Sequence, residues 1–193
     1  QRPQWGGRRW HQARAKDEKA VLIEVSPNNF GVYEVDNSNH LICSNHFQSA
    51  AYTNDKQNQK HIFESHSKYR YERMEELLSE TQKMNPERAV EVLRNREGLD
   101  DKKIGYGNEK ALNQLLAHHG IVFQPHDLKV WVSSNPFQLG EFVAYDLNEV
   151  FQKTGTSETP ATVSHPSANI DEDPFVNSLA FEHYNRYRRL RAN

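Results

Sequence analysis

The chain has 193 residues, 36% of them hydrophobic, with a formal net charge of −2 and a mean hydropathy of −0.92. That length is enough for one domain with a real core. The near-neutral charge gives no bulk attraction to nucleic acid or an anionic membrane, and no apolar run approaches the ~18 residues of a membrane span.

Residues 1–19 are basic and irregular, with six Arg and Lys against Asp17 and Glu18, and with Trp5 and Trp10 flanking Gly6-Gly7. They read as a basic connecting arm; no recognised nucleic-acid motif surrounds them. From Ala20 to Phe47, three apolar runs are separated by Ser26-Pro27-Asn28-Asn29 and Asp36-Asn37-Ser38-Asn39. Short runs rich in β-branched and aromatic residues between such clusters predict an antiparallel meander. Its third strand would end in Ser44-Asn45-His46-Phe47, with Leu41, Cys43, Asn45 and Phe47 on one face and His40, Ile42, Ser44 and His46 on the other. Residues 48–65 are polar and lack a period, which predicts a long loop.

Helical spacing begins near Ser67, where Tyr71, Met74, Leu77 and Leu78 predict the buried face. A second helix should start at Asn85-Pro86-Glu87, an N-cap, a residue suited to the first helical position and an acid for the positive helix end. It should end at Arg94, Arg96 and Gly98. Residues 99–110 are polar, and Gly105 and Gly107 lack the context of a phosphate loop. Ala111 to His119 fits helix or strand. Gly120 to Phe123 and Lys129 to Ser133 predict a hairpin, and Glu141 to Tyr145 a last strand. Residues 153–173 have the composition of a linker. A C-terminal helix over 174–193 should be capped by Asp173, bury Val176, Leu179, Ala180, Tyr184 and Tyr187, and carry arginines at its end.

Several chemical readings can be weighed on the residues alone. Cys43 and His46 would lie on opposite faces of a regular strand, so they do not form a direct pair; a lone Cys in an apolar run packs as a small hydrophobe. His46, His61, His66, His118 and His119 show no metal-ligand spacing, and adjacent histidines in a strand point apart, so no metal is expected. Arg70 at a polar helix start reads by default as a solvated charge. No cofactor is implied.

The motif order carries more than any one motif. A meander ending in Ser44-Asn45-His46-Phe47, a loop, a Ser-x-x-Arg helix, "VLRNREGL", "AHHGIVFQP…LKVWVSS" and "GEFVAYDLN" resembles the C-terminal half of the acyl-coenzyme A:6-aminopenicillanic acid acyltransferase group, related to choloylglycine hydrolases and acid ceramidase-like amidases. The resemblance implies an α+β fold, part of an αββα N-terminal nucleophile hydrolase sandwich of antiparallel sheet with packed helices. Residues 20–152 would form the C-terminal part of that domain. It implies a nucleophilic cysteine, exposed by self-cleavage, that attacks a linear amide with its own α-amino group as base. An Asn that holds the oxyanion matches Asn45. An Arg that contacts substrate matches Arg70, with Arg73 as the alternative.

The family's nucleophile lies in the first half of the polypeptide, and Cys43 does not match it. The chain is therefore expected to be a C-terminal portion, inactive alone. Its partners would be the upstream half of the same protein, carrying the nucleophilic Cys, and a small amide or acyl substrate. A homo-oligomer is left open. No signal peptide is visible, a soluble protein is expected, and a leader upstream of Gln1 is compatible with the sequence. The other reading is a non-catalytic interaction domain that docks a partner through a sheet face and the basic Trp-containing arm.

Overall fold

The computed structural model describes residues 9–14, 20–35, 40–79, 83–153 and 163–191, with backbone alone for 9–14 and 153. Most of the basic arm, including Trp5, lies outside the described residues. The chain divides into two compact units, Gln1–Glu80 and Thr81–Asn193. Each contains a three-stranded antiparallel sheet together with helices, the α+β class that was expected.

In the first unit the meander is β1 (Arg9–Arg14), β2 (Ala20–Ser26) and β3 (Asn29–Glu34), in that order across the sheet. The expected turn at Pro27-Asn28 joins β2 to β3, with Ser26 opposite Asn29. The meander is thus displaced by one strand from the sequence reading. Arg9–Arg14, taken for irregular arm, pairs with β2 from Ala20 to Val25, whereas residues 40–47 form no strand.

The reason lies in how that backbone is satisfied. Gln48 Nε2 donates to the Ile42 carbonyl at 3.0 Å, and Asn58 exchanges two 2.9 Å bonds with the backbone of Phe47. Side-chain amides take the place of a sheet ladder, and the segment is free to turn. Ile42 and Phe47 still enter the core, Phe47 stacked on Tyr52 at 3.9 Å.

The polar loop expected over 48–65 is also corrected. A 3-10 turn (Ala50–Tyr52) leads into α1 (Lys56–Glu64), whose N-cap Asp55 accepts from Asn58 N. Apolar periodicity missed α1 because its buried residue is Asn58. Helix α2 (Ser67–Ser79) stands where expected; of the expected stripe it buries Leu77, and beside it Ser67, Arg70 and Arg73, while Tyr71, Met74 and Leu78 are only half-buried.

In the second unit, α3 (Pro86–Arg94) begins as read, with Asn85 Oδ1 accepting from Arg88 N. The hairpin β4 (Ile121–Gln124) and β5 (Lys129–Ser133) and the last strand β6 (Phe142–Asp146) form the second sheet. Val90, Trp131, Phe142 and Ala144 make its core. Arg94 ties the unit together through bonds to the carbonyls of Gln138, Gly140 and Asp171.

A short helix, α4 (Leu147–Lys153), follows β6. Residues 163–173, given to a linker on composition, run along β6 instead. Tyr145 bridges Ser164 and Phe142 bridges Ile170, and Trp131 Nε1 donates to the Ala168 carbonyl at 2.8 Å.

The C-terminal helix is split. Asp173 caps a 3-10 turn (Pro174–Asn177), and α5 (Leu179–Arg191) begins after Ser178. Its anchor is Phe181, 5% exposed, while the expected Leu179 and Tyr187 face solvent. No described helix is long and apolar enough to cross a membrane.

Candidate active site

Asn45 lies on the exposed crest of the 44–47 segment, and the residues on both sides of it are anchored. Ser44 Oγ bonds the Ser67 carbonyl at 2.9 Å and the Ser67 hydroxyl at 3.0 Å. His46 Nδ1 lies 2.8 Å from the same Ser67 Oγ. Behind them, Phe47 is clamped by Asn58. The amides of Gln48 and Ser49 donate to the two oxygens of Glu24, a fully buried carboxylate on β2, at 2.6 and 2.8 Å. The crest is therefore bound both to the first turn of α2 and to the sheet.

One turn along α2, Arg70 reaches back to Asn45. Its Nη2 donates to Asn45 Oδ1 at 2.9 Å, and its Nη1 donates to the Ser65 carbonyl at 3.2 Å. The two residues selected from the sequence, 25 positions apart, are thus in direct contact. A guanidinium has donors only, so it orients the amide with oxygen inward. Asn45 Nδ2 is then the group left at the exposed crest, with no acceptor among the described residues. Donation from a cation into Oδ1 also polarises the amide and strengthens Nδ2–H as a donor.

Arg70 is not the solvated charge expected by default; it is 9% exposed. Arg73, the alternative, is 1% exposed and pairs with Glu76 at 2.6 Å. The Ser67 and Arg70 side chains share one face of α2, which is how a Ser-x-x-Arg spacing grips one loop from two sides.

Two titratable groups flank the crest, and burial is the first cause acting on both. Burial lowers the His46 pKa below 6.5, and the cations Lys68 and Arg70 together with His61 lower it further against the pull of Glu24. His46 is a neutral hydrogen-bonding group at neutral pH. Cys43 touches solvent, yet desolvation of its sulfur and the nearby Glu24 push its thiol up to about 11. At pH 7 only about one thiol in ten thousand would be ionised, which is the opposite of an activated nucleophile.

The histidines noted in the sequence fall in different units, with His118 and His119 centroids 6.4 Å apart on exposed backbone. A cluster not foreseen joins Asp146, Glu149 and His165 in the second unit, each with a ligand-type atom within 4.8 Å of the others. In it, His165 Nε2 lies 3.0 Å from Glu149 Oε1. Sequence reasoning missed it because His165 sits in the stretch taken for a linker.

It also missed Ser67, Asn58 and Glu24 as the supports of the crest. The only signal available was the Ser67-x-x-Arg70 spacing.

A family model described as Acyl-coenzyme A:6-aminopenicillanic acid acyl-transferase matches residues 11–137. No curated protein and no solved structure matches the chain.

Proposed function

The chain belongs to the acyl-coenzyme A:6-aminopenicillanic acid acyl-transferase family, and on that premise we propose that it supplies the oxyanion-stabilising part of a cysteine N-terminal nucleophile enzyme acting on linear amides. In this reading the nucleophile is a cysteine other than Cys43, on an upstream part of the same protein. A thiol of that chemistry needs its own free α-amino group as base; Cys43 has a peptide-bonded nitrogen and a thiol raised to about 11.

The step is acyl transfer. The thiolate forms a C–S bond to the amide carbon while the carbonyl π pair moves onto oxygen. Asn45 Nδ2–H donates to that oxyanion. Collapse of the intermediate restores the carbonyl, breaks the C–N bond and expels the amine, which takes the proton held by the α-amino group. Water or a second amine then attacks the thioester, giving hydrolysis or acyl transfer.

The observation that carries the reading is the Arg70–Asn45 hydrogen bond. It supports an amide nitrogen held outward before substrate arrives, and preorganised donors are worth most when they need no reorientation. Arg70 is proposed first as the positioning residue for Asn45 and second as a contact for a substrate carboxylate.

The test uses the protein together with the segment that bears the family's cysteine. An acylating probe should form a thioester on that cysteine, and Asn45→Ala should lower turnover by about 10²–10³. No acyl-enzyme would overturn the enzymatic reading and leave a non-catalytic interaction domain. Unchanged turnover in Asn45→Ala would remove Asn45 from the oxyanion hole.

A further inference from the structure

A second concave site lies wholly within the second unit. It is a cleft of about 530 Å³, inside the range typical of small-molecule pockets. One wall is the 106–116 segment, with Tyr106 and Leu116; the other is the C-terminal half of α5, with Tyr184, Tyr187, Arg188 and Arg191. The α5 wall lies beyond residues 11–137, so the family match does not account for it.

The two guanidiniums have capacity left over. The Arg188 guanidinium carbon lies over the Phe137 ring at 4.6 Å from its centroid and 6.0 Å from that of Tyr184. Among the described residues, no carboxylate or carbonyl accepts from the side chain of Arg188 or Arg191. A guanidinium that meets no such acceptor and is held beside aromatic rings can take a carboxylate or phosphate bidentately. The lining holds one carboxylate, Glu109, which already has a partner of its own.

The helix dipole explains some basic residues at the end of α5. It accounts for the exposed Arg189 but not for the stacking of Arg188 against Phe137.

The phenols supply the second half of the recognition. Tyr106 is stacked on Phe175 at 4.6 Å, which fixes its plane, and is still 54% exposed. Its outer face is available to another flat ring. Gly107 has φ +68°, and a Cβ there would lie 2.9 Å from the Tyr184 ring. The backbone at Gly107 thus comes close to the opposite wall at Tyr184.

We infer that this cleft binds a small ligand that joins a flat aromatic ring to an anionic group, either a phosphate or a carboxylate. The ring stacks on the tyrosines and the anion meets the Arg188–Arg191 pair. The inference does not rest on the acyl-transfer reading, because it concerns the other unit and is measured by binding alone.

The full chain is titrated calorimetrically with ADP for the phosphate source and 2-naphthoate for the carboxylate source, beside adenosine and pyrophosphate. At least one of the first two should saturate. Arg191→Ala and Tyr187→Ala, both at exposed positions, should each weaken that binding about tenfold without moving the unfolding midpoint. Arg188→Lys, which keeps the charge and loses the fork, should also weaken it. The inference is overturned if neither ADP nor 2-naphthoate saturates at millimolar concentration. It is equally overturned if both exposed variants bind like the parent, or if adenosine or pyrophosphate binds as tightly as ADP and 2-naphthoate does not bind.

Discussion

Asn45 is an exposed amide whose oxygen is held by a neighbour, and in the proposed reading the consequence is kinetic. Arg70→Lys keeps the charge but cannot reach Asn45 Oδ1 and the Ser65 carbonyl together. If Arg70 acts by positioning, kcat should fall about tenfold with KM nearly unchanged, the share of one charge-assisted bond. If it binds substrate directly, KM should rise for anionic substrates instead; a variant with neither change would remove Arg70 from the site. His46 makes a separate prediction from pH. Its folded pKa lies below the ordinary 6.5, so the unfolded chain takes up a proton that the folded one refuses. Stability is fully present above pH 6.5 and is lost as pH falls from there through the lower folded value. Thermal unfolding midpoints at pH 7.5 and 5.5 should differ less in His46→Asn than in the parent; an equal difference would show that other groups carry it. Asn45 itself was picked out in the sequence as what the family resemblance implies. The bond that aims it was not, because no one-dimensional pattern shows which of two nearby arginines turns toward a loop.

At the scale of elements, the informative failures concern polar residues facing inward. Periodicity assigned Tyr71, Met74, Leu77 and Leu78 of α2 to the core; Leu77 is buried there, but beside it the helix buries Ser67, Arg70 and Arg73. Hydrophobic patterning assumes that burial selects apolar side chains. Here the inward groups are satisfied: Ser67 by Ser44 and His46, Arg70 by Asn45 and Ser65, and Arg73 by Glu76. Burial then carries no unmet polar cost. Helix α1 escaped notice for the same reason. Asn58 bonds the Phe47 backbone as a strand ladder otherwise would, so Asn58→Leu should strand one buried N–H and one buried carbonyl. The expected loss is about 2–5 kcal/mol in denaturant unfolding. Asp55→Ala, which removes only the α1 cap, should cost about 1 kcal/mol. If Asn58→Leu costs no more than Asp55→Ala, the clamp is not what holds the 40–47 segment.

For the molecule as a whole, two units each build a small sheet from antiparallel strands. The family match crosses both, ending at residue 137. The second unit nevertheless depends on residues well beyond that point. Ile170 pairs with Phe142 at the sheet edge, Ala168 accepts from Trp131, and Phe181 completes a cluster with Leu115 and Leu139. Removing residues 163–193 should therefore abolish the slow amide exchange of β5 and β6, read by hydrogen exchange. Retained protection there would make the C-terminal segment an accessory.

The local chemistry of the chain determined much on its own. Asn85-Pro86 started α3, Pro27-Asn28 turned the first sheet, and short continuous apolar runs made β4, β5 and β6. These features depend on backbone preferences and nearest neighbours, which a sequence states directly. Tertiary structure alone decided that Arg9–Arg14 became a strand, that 40–47 did not, and that 163–173 closed a sheet edge. Each of those outcomes depends on where a distant partner offers donors and acceptors. The same holds for the candidate site: Asn45 was named only through the family resemblance, and only the fold brought Arg70 to its oxygen.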